Sequence, residues 1–175
     1  MKKLICAILT AALLFSLTAL AEEKPQSYVW SDYEYLIDTL GAEGDFYNYE
    51  KLSFKFWVPS ALPQCELTDE QLENGWIDVF TTEDESYSII VQYNQMEGIN
   101  TLEELAAAST DQYENSSYAV INGYDALMLL RNQGNTMTVV IAGEDNYFLQ
   151  LTYNGMTEQA FMNLVGISLA SIQPL

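Results

Sequence analysis

Residues 118–153 read YAVINGYDALMLLRNQGNTMTVVIAGEDNYFLQLTY, and their pattern decides the fold. Four apolar runs, 118–121, 125–130, 136–142 and 147–153, are separated by Asn122-Gly123, by Gly134-Asn135 and by Gly143-Glu144-Asp145-Asn146. Asn-Gly supplies two residues that tolerate positive φ, as a type I′ hairpin turn requires, and the longer links also suit hairpins. The stretch therefore predicts an antiparallel meander.

Working outward, Asn154-Gly155-Met156-Thr157 leads into a last helix whose Phe161, Leu164, Val165, Ser168 and Ile172 form one apolar stripe before Pro174. Upstream, Thr101-Leu102-Glu103-Glu104 has the form of a capping box. Leu102, Leu105, Ala106, Ser109 and Tyr113 then fall at helical spacing, which predicts a helix over 102–114. A hairpin is expected from 76–81 and 87–93 around the polar connection 82–86, with Tyr87, Ile89, Val91 and Tyr93 facing together. Thr68-Asp69-Glu70-Gln71 is a second capping box, and Asn74-Gly75 stops the short helix that follows it. Residues 46–58 read as one strand, with Leu52, Phe54, Phe56 and Val58 on one face and Ser53, Lys55 and Trp57 on the other, ended by Pro59 and Pro63. Residues 22–45 are polar and aromatic at once and form an extension with one set of helical turns around 32–40. Long amphipathic helices with about seven strands and no β-α-β alternation give an α+β fold, helices packed on an antiparallel sheet. There is no GxGxxG and no GxxxxGK[ST], so dinucleotide-binding and P-loop chemistry are set aside.

The order of these elements resembles the family of PsbP, the extrinsic protein of photosystem II, with its bacterial PsbP-like and DcrB-type secreted relatives. The resemblance rests on YEKLSFKFWVP at 49–59, TLEELA at 101–106, INGYDA at 121–126 and the closing helix 161–172 that ends in Ala170-Ser171-Ile172. It covers about residues 46–174 and leaves the extension outside. It implies an α-β-α sandwich around an antiparallel sheet and a role as an adaptor or binding module. It transfers no catalytic residue, because the matched positions look structural.

Lys2 and Lys3, an apolar run over 4–17 and Ala19-Leu20-Ala21 have the form of a bacterial secretory signal peptide. The chain is thus expected to comprise a signal at 1–21, the extension at 22–45 and a single domain at 46–175, exported as secreted or periplasmic protein. Cys6 lies inside the apolar run and not at the cleavage position, which disfavours a lipid anchor. Cleavage leaves Cys65 as a lone thiol, expected to be buried. It also leaves four cations, Lys24, Lys51, Lys55 and Arg131, against 25 acids, a net −21. Four scattered cations cannot displace the counterions of a polyanion, so nucleic acid and anionic membrane surfaces are excluded as partners. A protein or a neutral glycan at the cell envelope remains.

The chain has no histidine, which removes Ser-His-Asp, Cys-His and His-ligated metal chemistry. Two alternatives to a non-enzymatic binding module survive. A carboxylate-dependent glycan hydrolase needs only two acids, and Asp78, alternating with Trp76 and Phe80, is the best single candidate, although a solvated face or a sheet margin is its expected place. A structural calcium module needs only oxygen ligands, for which Glu83, Asp84 and Glu85 are candidates. No other cofactor is expected. For binding, Trp30, Trp57 and Trp76, with Lys55, could form a stacking platform for sugars or an anchor for a protein partner. Trp57 shares a face with Lys55, where it is either open or covered by the final helix or the extension, and a two-sided layer favours cover.

Overall fold

The computed structural model describes residues 25–175, so the signal-peptide reading of 1–21 lies outside the described residues. The strands are β1 (Gln26–Tyr28), β2 (Gly44–Tyr49), β3 (Phe54–Pro59), β4 (Trp76–Thr81), β5 (Ser88–Gln95), β6 (Asn115–Ile121), β7 (Tyr124–Arg131), β8 (Thr136–Ala142), β9 (Tyr147–Asn154) and β10 (Gln173–Pro174). The α-helices are α1 (Tyr35–Leu40), α2 (Asp69–Glu73), α3 (Leu102–Ala108) and α4 (Gln159–Ala170). A seven-stranded sheet has the order β1-β6-β7-β8-β9-β5-β4, and a three-stranded sheet has the order β10-β3-β2.

The meander of 118–153 forms β6 to β9, each antiparallel to the next. Asn122 (φ 46°) and Gly123 (φ 91°) make its first turn in the left-handed conformation that Asn-Gly tolerates. Alternation then sorts the residues between two faces. Val91, Leu151 and Val139 are neighbours across three strands and wholly buried, and they pack with Phe54 and Phe56 of β3 and with Phe161, Val165 and Leu169 of α4. On the opposite face Leu127, Leu129, Val140 and Phe148 are covered by Leu102 and Leu105 of α3. One face of the large sheet thus carries a helix, and the other carries α4 together with the small sheet.

Three expectations are corrected. Residues 46–58 are not one strand: β2 and β3 form an antiparallel hairpin, with Tyr47 opposite Phe56 and Tyr49 opposite Phe54. The chain reverses through a single 3-10 turn at Glu50–Leu52 and a left-handed Ser53 (φ 54°). The helix expected over 102–114 stops at Ala108, where the Thr110 hydroxyl turns back to donate to the Ala107 carbonyl at 3.2 Å. The strands do not form a single antiparallel sheet, because β2, β3 and β10 separate and β1 joins β6 in parallel. Of the two capping boxes only Thr68/Gln71 closes in both directions; Thr101 caps the Glu104 N–H, but the Glu104 carboxylate accepts from the Asn100 N–H instead.

The described part of the extension packs on this frame. Tyr28 of β1 is buried, and Leu36 of α1 joins Trp57 and Ile167 in a small separate core. The Trp57 ring lies so close to Gly44 that a Cβ there would overlap it, and glycine is what lets β2 pass. At the far edge, residues 63–65 cover β4. The Cys65 N–H donates to the Val79 carbonyl at 2.8 Å, and the Thr81 N–H donates to the Pro63 carbonyl at 3.1 Å. Cys65, expected to be buried, is half-buried, since this covering segment meets the protein on one side only. The folded protein is therefore expected to react with a thiol reagent without denaturant; a thiol silent until unfolding would contradict this placement. Among the described residues no helix is long and apolar enough to cross a membrane.

Candidate ligand-binding face

A bulge in β4 creates the site. The register shifts between Trp76 and Asp78, so Trp76 lies opposite Gln92 while Asp78 lies opposite Val91 on the inner face. Three rows then cross the outer face from β4 toward β8. They are Trp76–Gln92–Gln150, Val79–Ile90–Thr152–Thr138 and Thr81–Ser88–Asn154–Thr136. None of these residues is charged, in a chain with 25 acids. Over β4, β5 and β9 the rows are half-exposed, except for Thr152, and they close under cover only at Thr136 and Thr138.

Hydrogen bonds fix many of the side chains of the face. Gln150 Nε2 donates to Asn94 Oδ1 at 2.7 Å, Asn154 Nδ2 to Ser88 Oγ at 2.9 Å, and Thr136 Oγ1 to Asn154 Oδ1 at 2.9 Å. The Thr138 and Thr152 hydroxyls meet at 3.0 Å. The face presents preset amides and hydroxyls with a large aromatic ring at its margin. Such a surface pairs with hydroxyl groups in directed hydrogen bonds and stacks against an apolar sugar face.

The other sequence candidates lie elsewhere. Trp30, Lys55 and Trp57 come together around β2 and β3: the Trp30 ring meets Phe46 edge-on at 5.5 Å, and Lys55 Nζ sits 5.2 Å from the Phe46 ring centre. Trp57 itself is 2% exposed beneath Leu36 and Ile167, so it cannot touch a ligand; the covering layer is both the final helix and the extension. Asp78, expected on a solvated face or margin, is buried. Its Oδ2 accepts from the Tyr49 hydroxyl at 2.9 Å, and its Oδ1 accepts from Gln64 Nε2 at 2.9 Å and the Val79 N–H at 3.1 Å. Burial first, and the Asp78 charge second, push the Tyr49 hydroxyl far above the ordinary tyrosine range.

Glu83, Asp84 and Glu85 are exposed in the β4–β5 connection. Asp84 Oδ1 accepts from the Thr82 and Ser86 hydroxyls, both at 2.7 Å, and from the Ser86 N–H at 3.2 Å. These bonds hold its carboxyl below the usual range, at about 2. Its Oδ1 is engaged inside its own turn, and among the described residues no three acids or thiols converge as a metal site would need. Gln92, Gln150 and Asn154 were the residues the sequence reading passed over. The signal for Gln92 is the second row of β5, Ser88-Ile90-Gln92-Asn94, and that for Gln150 and Asn154 is the matching row of β9, Phe148-Gln150-Thr152-Asn154, each polar at three positions and free of charge.

The architecture is a PsbP-like α+β fold. It is similar to the solution structure of cyanobacterial PsbP (CyanoP) from Synechocystis sp. PCC 6803, with a TM-score of 0.50 and 10% identity, over 91% of this chain and 99% of that one. That coverage reaches beyond the 46–174 on which the sequence resemblance rests. At this identity the likeness carries the fold and not the function. No protein-family model matches the chain, and no curated protein does.

Proposed function

We propose that the chain is a secreted, non-enzymatic binding module that takes a neutral glycan on the outer face of β4, β5 and β9. We read its layers, a helix on one side and a helix with the small sheet on the other, as a variant of the α-β-α sandwich. The observation that carries the function is the charge-free face with Trp76 beside Gln92. On a chain at net charge −19 a sheet face without an acid is chemically selective: a neutral polyol meets no unpaired charge on it, and an anionic polymer is repelled by the net charge of the chain. Trp76 supplies the stacking ring, Gln92 and Gln150 the carboxamides, and Ser88 the hydroxyl. The hydrolase reading has less support, because both Asp78 oxygens are engaged from within the protein. The calcium reading has less, because Asp84 Oδ1 is engaged by its own turn and among the described residues no three acids converge.

Titration of isotope-labelled protein with cellohexaose, chitohexaose and maltohexaose tests the proposal. Amide shifts for one of them are expected to map to β4, β5 and β9, and Trp76→Ala to weaken that binding about tenfold with the fold intact. Absence of shifts on this face with all three sugars, or a Trp76→Ala variant that binds as well as the parent, sinks the reading.

A further inference from the structure

A second site lies on the other side of the large sheet, independent of the Trp76 face. Between the 3-10 turn at Glu50–Leu52 and the ends of β5, β8 and β9 there is an open cavity of about 390 Å³, the size range of a small-molecule site. Its floor is Phe54, Ile141, Leu149 and Ile172, all buried and apolar. Tyr93 and Tyr124, both half-buried, line its walls. Tyr93 is fixed twice: it stacks on Tyr147 with ring centres 5.0 Å apart, and its hydroxyl lies against Gly143, where a Cβ would come within 2.9 Å of it.

The rim carries one charge of each sign from opposed elements, Lys51 on the 3-10 turn and Glu144 on the β8–β9 turn, and both are exposed. Among the described cations Lys55 lies over Phe46 and Arg131 over Tyr113, at 5.2 and 5.9 Å from the ring centres. Lys51 alone of the three has neither an aromatic nor a carboxylate partner among the described residues, and it stands at the mouth of this cavity. A free ammonium, a free carboxylate and an apolar floor between them complement a molecule with the same three parts.

We infer that this cavity binds a free apolar α-amino acid, its carboxylate toward Lys51, its ammonium toward Glu144 and its side chain over Phe54 and Leu149. A fatty acid fits less well, since Glu144 repels a lone carboxylate, and an apolar amine is opposed by Lys51. The walls agree with this orientation. The Tyr93 hydroxyl stays protonated, its pKa raised by burial first and by the charge of Glu144 second, and so it remains a donor beside the ligand.

The test uses L-phenylalanine against two analogues that each lack one charge, 3-phenylpropanoate and 2-phenylethylamine. L-Phenylalanine is expected to shift the amides of Lys51, Gly143 and Glu144 in labelled protein, and each analogue to bind about tenfold more weakly. Lys51→Gln and Glu144→Gln, both at exposed positions, are expected to leave the melting temperature unchanged and to cost about tenfold each in affinity for L-phenylalanine. No shift at millimolar L-phenylalanine overturns the inference. So do equal binding of the three compounds, shifts that map to the Trp76 face, and variants that bind like the parent.

Discussion

Above pH 10 this protein is expected to lose stability at about 4 kcal/mol per pH unit, about 1.4 from each of three tyrosines. Tyr28 and Tyr153 are 1% and 0% exposed, and Tyr49 is half-buried and donates a hydrogen bond to Asp78. Burial raises all three hydroxyls well above the ordinary value of 10; Tyr33 adds to it at Tyr28 and Asp78 adds to it at Tyr49, while the Ser168 contact opposes it slightly at Tyr153. In the unfolded chain these tyrosines release their protons near pH 10, whereas the folded protein keeps them. The folded state therefore binds more protons, and stability falls as pH rises. The contribution is fully present below the unfolded pKa and is lost progressively from pH 10 upward. A domain of this size has about 5–15 kcal/mol to lose, so unfolding should be complete within a few pH units. With no histidine in the chain, no imidazole step precedes it near neutrality. Urea midpoints at pH 9, 10 and 11 measure the slope, and Tyr153→Phe should reduce it by one proton. A midpoint unchanged between pH 9 and 11 would contradict the burial of these hydroxyls.

Those three tyrosines also mark what could be read from the chain and what could not. The strands β6 to β9 were legible because each carries a period-two pattern long enough to register and is bounded by residues suited to positive φ. The 3-10 turn that separates β2 from β3 was hidden. Tyr47 and Tyr49 on one strand and Phe54 and Phe56 on the other face the same core, so the apolar row runs on across the reversal, and Ser53 is not a residue that announces a left-handed turn. β1 has only three residues, too few for any period, and it pairs with a strand more than ninety positions away.

The candidate site was half legible for a related reason. Trp76, Asp78 and Phe80 alternate in sequence and so suggest one shared face, but the bulge between Trp76 and Asp78 turns Trp76 outward and leaves Asp78 and Phe80 inside. A bulge leaves no composition signature, and the residue types that make Trp76 a stacking candidate say nothing about which side it takes. The cavity was illegible altogether, because Lys51 and Glu144 are ordinary surface charges until the hairpin β2–β3 folds over the large sheet. Sites assembled from separate elements follow from the topology, which local pattern does not contain.

Asn122→Ala is expected to destabilise the protein by about 3–5 kcal/mol, far more than a turn position usually costs. The sequence marks Asn122 as half of an Asn-Gly turn, but its side chain is a clamp. Its Oδ1 accepts from the Trp30 N–H at 2.8 Å, and its Nδ2 donates to the carbonyls of Ala170 at 2.6 Å and Ile172 at 2.7 Å. Its own N–H donates to the Tyr28 carbonyl at 2.8 Å. One carboxamide thereby ties the β6–β7 hairpin to the N-terminal segment and to the exit of α4, where the last carbonyls of a helix need partners. Alanine removes three partly buried bonds at about 1 kcal/mol each and adds about 1 kcal/mol of strain at φ 46°. Asn122→Gly separates the two terms, since glycine accepts the backbone conformation; it should recover about 1 kcal/mol of the loss and no more. Asn122→Asp keeps the acceptor for Trp30 but turns an oxygen toward two carbonyl oxygens, so it should be at least as damaging as alanine. Urea unfolding measures all three, and hydrogen exchange locates the effect, with faster exchange expected at Trp30 and Gln173. A loss under about 1 kcal/mol for alanine, or glycine restoring full stability, would mean that the turn alone matters and the clamp does not.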